Sequence, residues 1–379
     1  MIYLDHAATT PIPEAVADTM YDVLRNHYAN PSAQYQAGYD MRIRVEEWRE
    51  TVAKALDCPP ERLSFTSCGT EGDVWAIRAA CWRNRRVGRH VVTTSVEHNA
   101  VLETLKLMRE EGYDVTQVAP RPDGSVDAES VLSAVRPDTA LVSVMLVNNE
   151  IGARYPVEEI AQRLRGVNPE TLLHTDAVQG FLKVPFSARE CGADFVTVSA
   201  HKIGGPKGIG ALYVGERVRD PRPLIPGGGQ EYGRRSGTEA TAQIAGFAKA
   251  VELRTANLSE TWERLYDIRA YAVEKLSEIP DLRVIGPKEH FAPHILLVSL
   301  AGWPSQNIVT DLSAQGICIS AGSACHQGRP SHVVKALRLP PRVRQSVIRL
   351  SFGPETSRAD IDACAAAIRK HHDERLPML

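Results

Sequence analysis

The stretch Phe195-Val196-Thr197-Val198, continuing as Ser199-Ala200-His201-Lys202-Ile203-Gly204-Gly205-Pro206-Lys207-Gly208, joins a short apolar run to a polar, glycine-rich turn. A short run of apolar and β-branched residues reads as a strand buried on both faces. At its end stands Lys202. A lysine desolvated in such a place loses proton affinity and becomes able to form a Schiff base. A solvated lysine on a glycine loop is the alternative reading. The order of glycine, lysine and hydroxyl differs from GxxxxGK[ST], so this is not a nucleotide P-loop.

Working outward, similar apolar runs occur at Leu63-Ser64-Phe65-Thr66, His90-Val91-Val92-Thr93, Ala140 to Val147, and Thr171-Leu172-Leu173-His174. Between them, helical periodicity is found near 71–84, 98–111, 127–136 and 157–165. Alternation of buried strands with helices predicts an α/β fold built on a doubly wound, mainly parallel sheet. A long helix over 239–256 and a second one capped by Ser259 follow, then short strands at 282–285, 294–300 and 347–351. We expect a large domain over 14–250 and a smaller α+β domain formed by 1–13 and 251–379.

The chain has 379 residues, 43% hydrophobic and 24% charged, enough apolar material for two or three packed units. Its formal charge of −2 argues against a whole-surface grip on nucleic acid or anionic membrane, so neither is an expected partner. It has no apolar run of membrane-spanning length, and Met1-Ile2-Tyr3-Leu4-Asp5-His6 lacks a signal-peptide pattern. Seven cysteines without a CxxC pair speak against a disulfide framework or zinc ribbon. No metal site is expected, and the expected location is cytoplasmic.

Candidate chemistry gathers where open α/β sheets bind ligands, at the C-terminal ends of strands. Thr66-Ser67-Cys68-Gly69-Thr70-Glu71-Gly72 leads into a helix and suits a phosphate, or is simply a cap. Asp176, in Thr175-Asp176-Ala177-Val178-Gln179, ends an apolar strand and needs a cationic partner. That partner is either a protonated ring nitrogen of a cofactor or an arginine. Gly227 to Thr238 holds glycines, Arg234 and Arg235 before the long helix, which fits either an anion site or a mobile loop. Cys325 lies among small residues in Ser320-Ala321-Gly322-Ser323-Ala324-Cys325-His326 and reads as a nucleophile or a buried hydrophobe. The other six cysteines read as buried hydrophobes.

In their order these motifs resemble the NifS-type cysteine desulfurases, in the class V aminotransferase group of fold type I pyridoxal phosphate enzymes. The likeness runs from Leu4-Asp5-His6-Ala7-Ala8-Thr9-Thr10-Pro11 through Glu97-His98-Asn99, Val147-Asn148-Asn149-Glu150, Asp176-Ala177-Val178-Gln179 and His201-Lys202. It ends with Arg235-Ser236-Gly237-Thr238, Gly322-Ser323-Ala324-Cys325 and Ile348-Arg349-Leu350-Ser351. The resemblance implies pyridoxal 5'-phosphate held by Lys202, with Asp176 on the ring nitrogen, Gln179 on the ring oxygen and His98 stacked on the ring. It implies phosphate contacts from Gly69, Thr70, Ser199 and His201, with Thr238 supplied by the partner subunit of a homodimer. Asn148 and Arg349, with Asn30, correspond to groups near the substrate carboxylate. The implied catalytic groups are Cys325, Lys202 and His98, and the implied reaction converts L-cysteine to L-alanine. Cys325 would carry the sulfur as a persulfide to a protein acceptor.

Departures from the family pattern point to a specialised sulfur donor, for example to nucleic-acid thiolation. His326-Gln327-Gly328-Arg329 is a short tether before Pro330-Ser331, and Gly72, Val74 and Trp75 stand where the family tends toward an Asp-Asn pair. A selenocysteine lyase or C–S lyase of the same fold, or a non-catalytic scaffold, are the competing readings.

Overall fold

A computed structural model describes residues 1–321, 330–374 and 376–378. Cys325 lies outside the described residues. Among the described residues twelve strands follow one another as β1 (Ile2–Tyr3), β2 (Leu63–Thr66), β3 (His90–Thr94), β4 (Asp114–Val118), β5 (Thr139–Ser143) and β6 (Leu172–Asp176), then β7 (Phe195–Ser199), β8 (Gly210–Val214), β9 (Leu282–Ile285), β10 (Ile295–Leu300), β11 (Ile317–Cys318) and β12 (Val347–Ser351). The helices that matter for the site are α1 (Glu14–Asn26), α2 (Gln36–Leu56), α3 (Gly69–Arg83) and α4 (Asn99–Glu110).

Seven strands form one sheet in the order β2-β8-β7-β6-β5-β3-β4, and only β8 runs against its neighbours. The expected α/β sheet is therefore present. Its central strands are buried along their whole length, because helices cover both faces. β9, β10 and β12 make a separate antiparallel sheet with its own apolar core, to which the helix Arg358–Glu374 contributes. β1 pairs in parallel with β11, which joins the chain's first residues to its last third.

Three local expectations shift. The strand expected at Ala140 to Val147 ends at Ser143: beyond it Val144 and Leu146 still donate to β6, but the Met145 N–H turns from β3 to the buried Glu97 carboxylate at 3.0 and 3.1 Å. Ser259 does not cap the second long helix, which already runs from Leu258 after a one-residue break at Asn257. β4 and β8 escape the apolar pattern for separate reasons. β4 is an edge strand that buries little beyond Val115. β8 starts at Gly210, where a Cβ would meet the Val198 carbonyl oxygen at 2.7 Å, so close strand packing demands a residue that sequence patterns read as a turn.

Candidate active site

The C-terminal ends of β6 and β7 and the N-terminus of α3 open onto one cavity of about 250 Å³. Gly69, Thr70, Asp73, His98, Asn149, Asp176, Gln179, Ser199, His201 and Lys202 line it.

Lys202 ends the short helical turn after β7, and its Nζ donates to the carbonyl oxygens of Ala7 and Ala8, each at 2.7 Å. Neither acceptor is charged. Burial, with the Arg349 charge adding to it, lowers its pKa to about 8. The amine is therefore partly unprotonated near neutral pH. The N-terminal segment is stitched to this loop, since Thr10 Oγ1 bonds both the His201 carbonyl (2.9 Å) and the Gly204 N–H (2.8 Å).

Asp176 closes β6 and accepts from the Val178 N–H at 2.9 Å. Burial, reinforced by the Asp73 charge, raises its pKa to about 7. Asp73, one turn into α3, is itself pushed up to about 8 by burial, and its Oδ1 has no hydrogen-bond partner among the described residues. Asp73, Asp176 and His98 offer ligand atoms within 4.8 Å of one another. Two buried carboxyl groups this close hold protons near neutral pH unless a cation lies beside them.

His98 caps α4. Its Nδ1 accepts from the Ala100 N–H at 3.1 Å, which leaves the proton of the neutral ring on Nε2. The ring opens onto the cavity, and the protein enclosing its other sides lowers its pKa. His201, whose Nδ1 lies 3.2 Å from Thr9 Oγ1, is driven down to about 3 by burial and by Lys202, so it stays neutral.

The residues present fit pyridoxal phosphate. Ser199 Oγ is buried and has no partner among the described residues, and Ser199 Cβ lies beside the first turn of α3, 3.7 Å from where a Cβ of Gly69 would stand. The first N–H groups of a helix lack intrahelical acceptors and favour an anion. Gly69 keeps that turn open: a Cβ there would meet Val178 Cγ2 at 2.8 Å. A phosphate at this end, a lysine that can bond an aldehyde and a buried carboxyl for a ring nitrogen answer the three functional groups of that cofactor.

Not every expected residue joins them. The Asn148 side chain is spent on backbone groups, donating to Val96 O at 2.8 Å and accepting from Glu150 and Ile151 N–H groups at 2.9 and 3.0 Å. Its neighbour Asn149 lines the cavity instead. Asn30 is exposed between α1 and α2 and accepts from the Ser32 N–H at 2.8 Å, away from the cavity lining. Thr238 is exposed and absent from the lining formed by its own chain. Arg349, on β12, is buried and donates to Asp5 Oδ1 at 2.7 Å and to Asn149 O at 2.8 Å. Cys68, expected as a buried hydrophobe, is half-buried and lines the cavity. Sequence reading missed Asp73 and Asn149. For Asp73 the available signal was its place one helical turn after Gly69, on the side facing the sheet.

The described residues flanking 322–329 are anchored beside the site. Ser320 exchanges backbone hydrogen bonds with Arg349 at 3.2 and 2.7 Å, and Ser331 Oγ donates to Glu150 at 2.5 Å.

The family profile described as Aminotransferase class-V matches residues 2–364. "Cysteine desulfurase IscS" of Dictyoglomus turgidum is 36% identical over 364 residues, 95% of this chain and 92% of that protein. The chain belongs to the NifS-type cysteine desulfurases of the class V aminotransferases. Among solved structures, one titled as a NifS-like protein shares 35% identity with a TM-score of 0.93, covering 99% of this chain and 100% of the other. "SspA in complex with cysteine" shares 30% identity with a TM-score of 0.81, over 94% and 100% of the two chains. Membership in the desulfurase family accords with the site, whose lysine, carboxyl and helix terminus lie within one cavity. No helix among the described residues is long and apolar enough to cross a membrane.

Proposed function

We propose that the protein is a pyridoxal phosphate-dependent cysteine desulfurase that transfers the sulfur of L-cysteine to Cys325 and releases L-alanine. The observation that carries this reading is Lys202 sharing one cavity with buried Asp176 and the Ser199 hydroxyl, which has no partner among the described residues. Lys202 would hold the cofactor, Asp176 its ring nitrogen, Gln179 its ring oxygen, and Gly69, Thr70, Ser199 and His201 its phosphate. When bound, the cofactor supplies an electron sink for the pair released at the substrate α-carbon.

The residues of the chain do the rest. The Lys202 amine takes and returns the proton at the α-carbon. His98, neutral and carrying its proton on Nε2, faces the cavity as a donor. Arg349, held by Asp5, presents a fixed guanidinium for the substrate carboxylate. The Cys325 thiolate attacks the substrate sulfur: an S–S bond forms, the carbon–sulfur bond breaks, and its electron pair stays with carbon to be protonated. The net change turns L-cysteine and a thiol into L-alanine and a persulfide, with no external oxidant. The anchors at Ser320 and Ser331 support this role for the segment between them.

Exposure of Thr238 outside its own cavity supports a homodimer in which it completes the partner's phosphate site. The short tether of four residues from Cys325 to Pro330 supports an acceptor dedicated to this enzyme that reaches into the site. Capture of a general iron–sulfur scaffold at native affinity would count against that.

The test is incubation with pyridoxal phosphate and L-cysteine, assaying alanine and sulfide, with Cys325→Ala beside the wild type. Alanine from wild type and near-total loss in the variant support the desulfurase. Undiminished turnover in the variant makes the protein a lyase, and no alanine despite cofactor absorbance means another substrate.

A further inference from the structure

Behind the cavity lies a second buried lysine that the reaction above does not use. Lys183 is 8% exposed, and among the described residues it has no carboxylate in ion-pair range. The charged groups it feels are all cationic: Lys202, Arg254 and Arg349. His6, His201 and His294 in turn feel its charge. Burial and these neighbours push its proton affinity far down. A lysine in such a place is costly, and an apolar side chain of like size would pack there without that cost.

The side-chain hydrogen bond it makes among the described residues shows what it does. Lys183 Nζ donates to Gln179 Oε1 at 3.1 Å, and Gln179 Nε2 donates to Ala7 O at 2.8 Å. The same Ala7 oxygen accepts from Lys202 Nζ at 2.7 Å. The carboxamide of Gln179 is thus pinned at both ends, its oxygen by an amine and its nitrogen by a carbonyl. Only one amide hydrogen is committed to Ala7, and Gln179 lines the cavity, so the second N–H is left for the ligand. An amide free to turn would present oxygen to an anionic ring oxygen as readily as nitrogen.

We propose that Lys183 is a positioning residue for the cofactor ring, acting through Gln179 to keep an N–H aimed at the ring oxygen. This rests on the pyridoxal phosphate reading of the site. A donor to that oxygen favours its anionic form and lowers the pH at which the adjacent proton is lost.

The experiment is a pH titration of the visible absorbance of the reconstituted holoenzyme, for wild type, Lys183→Met, Lys183→Gln, Gln179→Ala and the double variant Lys183→Met/Gln179→Ala. Lys183→Met is expected to raise the midpoint by about one pH unit, Gln179→Ala to raise it similarly, and the double variant to add nothing further. Lys183→Gln, which still carries a donor, is expected to titrate near the wild-type midpoint. Lys183→Ala is run in parallel, so that a packing fault peculiar to Met does not decide the result. A wild-type midpoint in both Lys183→Met and Lys183→Ala overturns the proposal. So does a shift that persists in full on the Gln179→Ala background, because Lys183 would then act by charge alone. Wild-type protein that takes up no cofactor would instead refute the reading of the site.

Discussion

Arg349 Nη2 and Asp5 Oδ1 lie 2.7 Å apart although they stand 344 positions apart in the chain. The pair fixes the guanidinium of β12 against the N-terminal segment that also supplies the acceptors of Lys202. Burial raises the Asp5 pKa, and the Arg349 charge works against that rise. Arg349→Ala is expected to raise KM for L-cysteine by 10- to 100-fold, the worth of about 1.5–3 kcal/mol for hydrogen bonds to a charged group. Asp5→Asn is expected to raise KM less, since it loosens the guanidinium without removing it. Steady-state alanine formation measures both.

Lys202, with its pKa lowered to about 8, sets the pH dependence of cofactor capture. The deprotonated amine is the reactive form, so the uptake rate of the cofactor-free protein should rise with pH through a midpoint near 8. Lys202→Ala should show no covalent uptake at any pH, by absorbance after gel filtration. Phosphate-site binding alone would survive as weak, reversible retention.

Asp73 and Asp176 make the cofactor-free protein sensitive to alkali. Their folded pKa values, about 8 and about 7, lie above the ordinary 3.8, so the folded state holds protons that the unfolded chain has released. Stability then falls as pH rises from near 4 toward 8, by up to about 1.4 kcal/mol per pH unit for each group. Denaturant unfolding of the cofactor-free protein at several pH values should show that fall. Asp73→Asn should flatten it, and a slope unchanged in the variant would remove Asp73 from the account.

Gly72 faces Thr197, whose Cγ2 would lie 2.6 Å from a Cβ at that position. Gly72→Ala should cost about 1–3 kcal/mol through overpacking. Gly69→Ala presses on Val178 beside the proposed phosphate site and should weaken cofactor affinity by tenfold or more. The two are separated by measuring thermal unfolding without cofactor and the dissociation constant with it.

Much of this site was legible in the sequence because its parts end local patterns. Asp176 ends one apolar strand, Lys202 follows another, and Gly69 and Thr70 open the helix after a third, so their places at one edge of the sheet follow from α/β topology. Asn148 shows the limit. Two adjacent asparagines carry no sign of which will close a turn with its own side chain and which will face the cavity. Backbone hydrogen bonding at Glu150 and Ile151 makes that choice.

Local pattern thus settled the α/β class, the family and the chemical types at the strand ends, though not strands β4 and β8, since strand and helix periods are set by residues near one another. Only the tertiary structure decided that Ala7 and Ala8 hold Lys202, that Asp5 holds Arg349, and that Lys183 is buried behind Gln179. The first two join residues about 195 and 344 positions apart, and no local period encodes such contacts. The third depends on burial, which is a property of the packed layers and not of the lysine.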